Sequence, residues 1–232
     1  MTPITFARPD GGTCNGYYAA PATPAGAPGL VVLQEWWGVN DQIKGVAEQY
    51  ASLGYRVIVP DLYRGKLGLD AKEAEHLMTG LNFADAASQD IRGAVMHLKA
   101  DGGKVGVVGY CMGGALTLLS AVFVREVDAA VTWYGFPPID YVDASKVTIP
   151  VQGHFATEDQ FFPIGTAEAL EQKLKGAGVD CTFYTYVAQH AFANEGHVKD
   201  GMPMRYDPTA ASTAWARTTA FFSAHLGPAV RA

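Results

Sequence analysis

Short apolar runs alternate with helical patterns along this chain. The continuous runs rich in Val or Ile are GLVVLQE (29–35), YRVIVPD (55–61), KVGVVGY (104–110), DAAVTWYG (128–135) and TIPVQGHFA (148–156). Such runs are typical of strands buried on both faces of a parallel sheet. VDCTFYTYVA (179–188) is a further predicted strand. The alternation predicts an α/β fold, a mostly parallel sheet with helices on both faces.

Five segments between or after these runs carry helical spacing. They read NDQIKGVAEQYASLG, ADAASQDIRGAVMHLKADGG, GGALTLLSAVFVRE, PIGTAEALEQKLKGAG and DPTAASTAWARTTAFFSAHL. The first is predicted to begin at Asn40 or Asp41 and to end at Gly54, because these residues favour helix caps and stops. No sequence repeat and no linker divides the chain, so we expect a single domain over residues 1–232.

The charge balance limits the classes of partner. The 232 residues include 17 basic and 23 acidic side chains, for a net charge of −6, and no long run of one sign occurs. This balance disfavours a nucleic-acid or polybasic membrane surface and favours neutral or hydrophobic small molecules. The N-terminal sequence MTPITFARPDGG lacks the pattern of a signal peptide, and no apolar run approaches the length of a membrane span. We therefore expect a soluble, cytoplasmic protein.

Cysteine usage gives no sign of a disulfide scaffold, a metal site or a bound cofactor. The chain has three cysteines, at positions 14, 111 and 181, and no CxxC pair. Three is too few for a disulfide framework, and the spacing suits neither zinc nor dithiol redox chemistry. Cys14 and Cys181 are interpreted as small buried hydrophobic residues.

The segment KVGVVGYCMGGALTLLSA places Cys111 between a strand and a helix. A nucleophile elbow needs small residues two before and two after the nucleophile, and Gly109 and Gly113 meet that requirement. The N-terminus of the following helix favours a thiolate, and the backbone N–H of Met112 is a natural oxyanion donor. A small buried side chain at a tight turn is the alternative, and the pattern alone leaves both open.

A cysteine nucleophile requires a base and an acid further along the chain. His190 opens the loop after the last strand, where a base is expected, and His197 is the competing choice. The loop ATEDQFFP offers Glu158 and Asp159 as the acid. The other histidines lie in probable helices or in a strand run and are interpreted as structural: His76, His97, His154 and His225.

Five motifs, QEWWGVN, PDLYRG, GYCMGG, EDQFFP and HAFAN, occur in the order found in a known family. From about residue 5 to residue 226 the chain resembles the dienelactone hydrolase (carboxymethylenebutenolidase) family of α/β-hydrolases. The resemblance implies the α/β-hydrolase fold, a monomer, and hydrolysis of a small-molecule lactone or ester. It implies a triad in which Cys111 is the nucleophile, His190 the base and Asp159 the acid.

The resemblance also implies further site residues. Glu35 matches the family's buried glutamate, which holds the resting thiol and takes its proton, and the backbone N–H of Trp36 completes the oxyanion hole with that of Met112. Asn194 stands where the family has an arginine that binds the substrate carboxylate. Arg64, in PDLYRG, is the partial substitute for that clamp.

A cysteine nucleophile restricts the substrate to acyl groups with good leaving groups, such as enol lactones, activated esters and thioesters. Aromatic residues next to the motifs are expected either to line a pocket for a flat apolar acyl group or to pack in the core: Trp36, Trp37, Tyr110, Tyr134, Phe136, Phe162 and Phe192. Three alternatives remain open: a thioesterase of broad specificity, a non-catalytic member that binds a small ligand, and a thiol-based redox protein.

Overall fold

The computed structural model describes residues 1–196 and 202–227, which form an eight-stranded sheet. The strands are β1 (Thr2–Ala7), β2 (Thr13–Ala19), β3 (Gly29–Leu33), β4 (Arg56–Pro60), β5 (Val105–Tyr110), β6 (Ala129–Trp133), β7 (Val151–Ala156) and β8 (Cys181–Tyr186). Their order is β1-β2-β4-β3-β5-β6-β7-β8. β3 to β8 run parallel, whereas β1 and β2 are antiparallel to their neighbours. The predicted mostly parallel sheet is confirmed.

Within the described residues, seven α-helical segments connect or follow the strands. They are α1 (Asp41–Ser52), α2 (Ala71–Thr79), α3 (Phe83–Asp85), α4 (Arg92–Ala100), α5 (Met112–Phe123), α6 (Ile164–Gly176) and α7 (Pro208–Leu226). A π-helical turn, Ala86–Ile91, joins α3 to α4, and 3-10 turns lie at Ile139–Tyr141 and Ala144–Lys146. Asn40 caps α1 by accepting the N–H of Ile43 over 3.1 Å, which confirms the predicted start of this helix.

The helices cover both faces of the sheet because the central strands are apolar on both sides. In β3, Leu30 and Val32 pack in a core cluster with α1 and α7. Their neighbours Val31 and Leu33 point to the opposite face and pack in a cluster with α4. A third cluster joins α5 and α6 over the later strands. None of the helices in the described ranges is long and apolar enough to cross a bilayer.

The hairpin of β1 and β2 was not expected from the sequence. β1 is an edge strand, and within its sequence TPITFA only Phe6 is fully buried. A strand with so little buried surface lacks the continuous apolar run that marked the other strands. Its inward-facing residues, Ile4 and Phe6, are too few to predict a strand from hydrophobic periodicity.

His154, at the centre of β7, is a satisfied core residue, as its position in an apolar run predicted. The side chain is fully buried and hydrogen-bonds to Tyr186 Oη over 2.8 Å, to Gln152 Oε1 over 3.0 Å and to Thr218 Oγ1 over 2.9 Å. Burial and the nearby charge of Arg217 lower the pKa of His154 to about 3. The residue thus ties β7, β8 and α7 together as a neutral imidazole.

Polar residues of four of the motifs, together with Tyr134, follow the carboxyl ends of the parallel strands. Glu35 follows β3, Cys111 follows β5, Tyr134 follows β6, Asp159 follows β7 and His190 follows β8. In parallel sheets the crevice outside these ends is the usual ligand-binding position. The fold therefore brings residues that are distant in sequence to one edge of the sheet.

Candidate active site

Cys111 occupies a strained turn between β5 and α5. Its φ of 55° lies in the left-handed region, which is uncommon for any residue except glycine. Its backbone N–H donates to the carbonyl of Trp133 over 3.0 Å, which fixes the turn to the end of β6. The side chain is partly exposed. Strain of this kind persists only where the surrounding structure enforces it, and it is frequent at functional sites.

Three glycines make room for this turn. A Cβ added at Gly109 would collide with the carbonyl of Gly113, and a Cβ at Gly113 would lie 2.6 Å from the carbonyl oxygens of Leu33 and Gln34. A Cβ at Gly135 would collide with the carbonyl of Cys111. The small-residue pattern seen in the sequence therefore has a steric cause, the close approach of three backbone segments around Cys111.

The helix α5 begins at Met112, directly after Cys111. The first N–H groups of a helix have no intrahelical acceptor, and the helix dipole places partial positive charge there. The N-terminus of α5 therefore favours negative charge on the Cys111 sulfur or on an oxyanion beside it.

His190 lies between Cys111 and Asp159. Its Nε2 is 3.2 Å from Cys111 Sγ, and its Nδ1 is 2.7 Å from Asp159 Oδ2. The imidazole is 2% exposed. The ring of Phe162 stacks on it at 5.5 Å, and the ring of Tyr134 meets it edge-on at 5.3 Å. Aromatic packing on two sides therefore fixes the orientation of the imidazole.

The second oxygen of Asp159 is held by the backbone. Asp159 Oδ1 accepts the N–H groups of Phe161 over 2.8 Å and of Phe162 over 2.9 Å. These bonds leave Oδ2 directed at His190. Glu158, the other carboxylate of this loop, is exposed. His197, the competing histidine, lies outside the described residues.

The charge of His190 is coupled to its neighbours. Burial by itself lowers the pKa of His190, but the negative charges of Cys111 and Asp159 outweigh burial and raise the pKa to about 10. A protonated imidazole is thus favoured at neutral pH. The arrangement can hold a thiolate–imidazolium pair.

Glu35 is buried beside this row and is bound by two neutral donors. Tyr134 Oη donates to Glu35 Oε1 over 3.1 Å, and Asn194 Nδ2 donates to Oε2 over 2.7 Å. Burial, together with the charges of Glu35 and Cys111, raises the pKa of Tyr134, which therefore remains a donor. Asn194 is buried, and its amide binds this carboxylate. Asn194 does not line the cavity beside Cys111.

A cavity of about 220 Å³ opens beside the thiol of Cys111. Its lining is largely apolar and consists of Trp36, Met78, Cys111, Met112, Phe161, Phe162, His190 and Met204. Within the described ranges, no lysine, arginine, aspartate or glutamate side chain lines it. The cavity suits a small, uncharged acyl group.

Two of the predicted pocket aromatics, Trp36 and Phe162, line this cavity. The others pack around it or in the core. Trp37 packs edge-on against Trp36 at 5.0 Å. The remaining four are buried: Tyr110, Tyr134, Phe136 and Phe192. Their role is thus core packing or, for Tyr134, a hydrogen bond to Glu35.

Arg64 lies elsewhere than expected, and its assignment to the substrate is corrected. Its guanidinium forms two bonds to the carboxylate of Asp90, at 2.8 and 2.9 Å, and it is not part of the cavity lining. Asp90 is almost completely buried, so its negative charge requires a cationic partner. The attraction to this buried charge holds the Arg64 side chain against Asp90.

Three lining residues, Met78, Phe161 and Met204, were not predicted from the sequence. Phe161 directly precedes the predicted Phe162, so the EDQFFP motif itself contained the signal. Met204 reaches the site through an isolated bridge between its backbone and that of His190. Met78 lies on α2. No pattern in the sequence indicates that either methionine lines the cavity.

Comparisons with known proteins agree with this architecture. The model of the dienelactone hydrolase family matches residues 14–226. The chain is 34% identical to "Protein usf" of Aquifex pyrophilus over 222 residues, covering 91% of this chain and 93% of that protein. It is 32% identical over 241 residues to a protein of Azospirillum brasilense named "Putative carboxymethylenebutenolidase", covering 98% of this chain and all of that protein.

Two solved structures share the fold over nearly the whole chain. One is named "Crystal Structure of Putative Dienelactone Hydrolase from Klebsiella pneumoniae subsp. pneumoniae MGH 78578", with a TM-score of 0.82, 25% identity, and coverage of 96% of this chain and 98% of that one. The other, from metagenomic libraries, is titled as a dienelactone hydrolase-like promiscuous phosphotriesterase, with a TM-score of 0.85, 26% identity, and coverage of 97% and 99%.

Proposed function

The chain belongs to the dienelactone hydrolase family, has the α/β-hydrolase fold and is a hydrolase of the carboxymethylenebutenolidase type, and from this we propose its chemistry. It cleaves lactones or activated esters of small, uncharged acyl groups through a triad of Cys111, His190 and Asp159. The observation that carries the proposal is the continuous row of hydrogen bonds from Cys111 through His190 to Asp159, open to an apolar cavity.

Acylation begins with attack of the Cys111 thiolate on the substrate carbonyl carbon. The carbonyl oxygen becomes an oxyanion, and the backbone N–H groups of Met112 and Trp36 are the donors proposed to bind it. When the tetrahedral intermediate collapses, the bond to the leaving oxygen breaks and that oxygen takes the proton from His190 Nε2. The products are the released alcohol or enol and an acyl thioester on Cys111.

Deacylation uses the same histidine as a base. The neutral imidazole of His190 takes a proton from a water molecule, whose oxygen attacks the thioester carbonyl. Collapse of the second tetrahedral intermediate releases the carboxylic acid and restores the thiolate beside a protonated His190. Asp159 holds the imidazole in the orientation and tautomer that both steps need.

Glu35 is proposed to take the proton of Cys111 whenever the thiol is in its protonated form. The charges of Glu35 and Cys111 both act on the phenol of Tyr134, so the two groups lie in one buried electrostatic environment. The hydrogen bonds from Tyr134 and Asn194 hold the carboxylate of Glu35 in this position. The guanidinium of Arg64 is bound to Asp90 instead.

The substrate class follows from the nucleophile and the cavity. A thiolate departs from a tetrahedral intermediate more readily than an alkoxide, so turnover requires an activated leaving group such as an enol, an aryl alcohol or a thiol. The described lining contains no lysine or arginine that would bind a substrate carboxylate, and the imidazole of His190 is already engaged by Cys111 and Asp159. We therefore propose uncharged acyl groups, with thioesters as a second substrate type for the same site.

A substrate panel tests the proposal. Enol lactones, aryl esters and thioesters are assayed with wild type, Cys111→Ala, His190→Ala and the control Cys181→Ala, whose buried thiol lies at the start of β8. Loss of a triad member should reduce kcat/KM by at least ~10³-fold, whereas the control should retain activity. Activity that persists in Cys111→Ala would refute the mechanism. A wild type inactive on every compound, yet able to bind them, would favour the non-catalytic ligand-binding alternative.

A further inference from the structure

The PDLYRG segment, residues 60–65, forms a turn in which the carboxylate of Asp61 accepts hydrogen bonds from the backbone. Asp61 Oδ1 accepts the N–H of Tyr63 over 3.1 Å, and Oδ2 accepts the N–H of Gly65 over 2.5 Å. Arg64 adopts a φ of 56°, in the left-handed region. The turn follows β4 directly and therefore has a fixed starting point at the sheet.

An ion pair between the partly exposed guanidinium of Arg64 and the buried carboxylate of Asp90 anchors the turn from outside. Arg64 binds both oxygens of Asp90, which is 1% exposed and lies in the π-helical turn before α4. The guanidinium of Arg8 lies 3.3 Å from the same carboxylate. Because a buried carboxylate that lost its partners would be strongly unfavourable, the position of the turn is well determined.

The anchored turn places the hydroxyl of Tyr63 against the cavity wall. Tyr63 is almost completely buried, and its Oη donates to Met112 Sδ over 3.1 Å. Met112 lines the cavity and directly follows Cys111. Burial, with a contribution from the charge of Cys111, raises the pKa of Tyr63, so the phenol keeps its proton and remains a donor.

We propose that Tyr63 is a positioning residue that sets which acyl groups the cavity admits, by holding the side chain of Met112 in one conformation. A methionine has three rotatable bonds and adapts readily to its surroundings. The hydrogen bond from Tyr63 restrains that freedom, so Met112 acts as a fixed wall of the cavity. The effect on acyl selectivity rests on the proposed hydrolysis at Cys111, whereas the restraint on Met112 does not.

The first test compares acyl selectivity in Tyr63→Phe, in wild type and in Tyr141→Phe, a control at an exposed tyrosine. Hydrolysis of p-nitrophenyl acetate and p-nitrophenyl hexanoate is measured. In Tyr63→Phe the ratio of kcat/KM for hexanoate to that for acetate should rise about threefold, mainly through KM, because the freed Met112 admits the longer chain. The pH profile should not move. A ratio equal to that of wild type would overturn the proposal.

The second test asks whether the effect passes through Met112. Met112→Leu removes the sulfur acceptor, so Tyr63→Phe should cause no further change of selectivity in that background. A change of the same size in both backgrounds would assign it to another contact of Tyr63 and overturn the proposal. Met112→Leu should also shift selectivity alone, which provides a reading if Tyr63→Phe does not fold.

The third test is independent of catalysis. The chain has six methionines, and the methyl signal of Met112 in ¹³C-methyl-methionine NMR spectra is assigned with Met112→Leu. Tyr63→Phe should shift or broaden this signal, and Tyr141→Phe should leave it in place. If wild type shows no Cys111-dependent hydrolysis, the proposed function fails while the spectrum still reports the restraint. An unmoved Met112 signal in Tyr63→Phe would overturn the role of Tyr63.

Discussion

His190 lies between the sulfur of Cys111 on one side and the carboxylate of Asp159 on the other. Burial opposes its protonation, and the charges of Cys111 and Asp159 favour it strongly enough to raise its pKa to about 10. A group whose pKa is raised on folding stabilises the folded state fully below its unfolded pKa of 6.5. That contribution is lost as pH rises through about 10. His190 is therefore protonated in the neutral pH range in which we propose that the enzyme works.

We predict that the imidazole of His190 titrates near pH 10 in wild type and at much lower pH in Cys111→Ala. In the variant, burial still opposes the charge but the thiolate that favoured it is absent. ¹⁵N-histidine NMR from pH 5 to beyond 10 measures both midpoints. Equal midpoints in the two proteins would show that Cys111 does not carry the negative charge assigned to it.

Removing the charge of Asp159 should impair catalysis in protein that still folds, although with reduced stability because part of the charge that favours protonated His190 is lost. Asp159→Asn keeps a side chain of the same shape but no longer fixes the tautomer of His190, so kcat should fall by ~10²- to 10⁴-fold. Glu158→Gln is the matched control, because its exposed carboxylate is the neighbour in the same loop. Steady-state kinetics on an aryl ester decide the point, and similar rates for both variants would contradict the role of Asp159.

Residues differ in how far their contacts can be predicted from sequence. Cys111, Asp159 and His190 each follow a recognisable apolar run, so their meeting at one sheet edge is predictable. The contacts of Arg64 and Asn194 are not. Arg64 binds Asp90, and Asn194 binds Glu35. Both contacts join residues far apart in sequence, so they depend on which buried carboxylate lies nearby in the folded protein.

At the level of elements, the turn between β5 and α5 depends on space around the backbone of Cys111. We predict that Gly135→Ala lowers both stability and activity, because the new Cβ would collide with the Cys111 carbonyl. Gly45→Ala is the control, since Gly45 lies in α1 with no atom near its Cβ position. It should stabilise the protein by about 0.5–1 kcal/mol. Urea unfolding and esterase assays measure both, and an unimpaired Gly135→Ala would contradict the steric account.

Elements with strong patterns were predictable, and elements with weak ones were not. The run VGVVGY and the glycines after it predicted the strand and the turn at Cys111. The edge strand β1 buries only Phe6, and its sequence TPITFA contains no continuous run rich in Val or Ile. Met78 on α2 became part of the cavity lining only because of how α2 docks, which local periodicity does not encode.

For the molecule as a whole, acid should reduce stability through His154. Its pKa falls from 6.5 to about 3 on folding, so below pH 6.5 the unfolded chain binds a proton that the folded protein does not. Stability should therefore decline as pH falls from 6.5 toward 3, by at most ~1.4 kcal/mol per pH unit for this residue. Urea unfolding at pH 7 and pH 5 measures the loss.

A variant isolates this contribution. His154→Gln should be less stable at pH 7, because it loses a buried hydrogen-bond network, yet show a weaker decline toward pH 5. His76→Gln, at an exposed position on α2, should decline as wild type does. An undiminished decline in His154→Gln would mean that other groups cause the sensitivity to acid.

The parallel sheet explains how one site forms from residues spread over most of the chain. Strand order places β3, β5, β6, β7 and β8 side by side, so the segments after them share one edge. The alternation of strand and helix made this architecture predictable. A single domain over residues 1–232, a monomer and a cytoplasmic location stay predictions.

In the proposed mechanism, Cys111 carries the acyl group during turnover. Wild type mixed with an aryl ester and quenched in acid within milliseconds is analysed by intact-mass and peptide mass spectrometry. We predict an added mass equal to the acyl group on the peptide that contains Cys111, and no such adduct in Cys111→Ala. Sustained hydrolysis without a Cys111 adduct, or an adduct on another residue that disappears at the rate of turnover, would contradict the account.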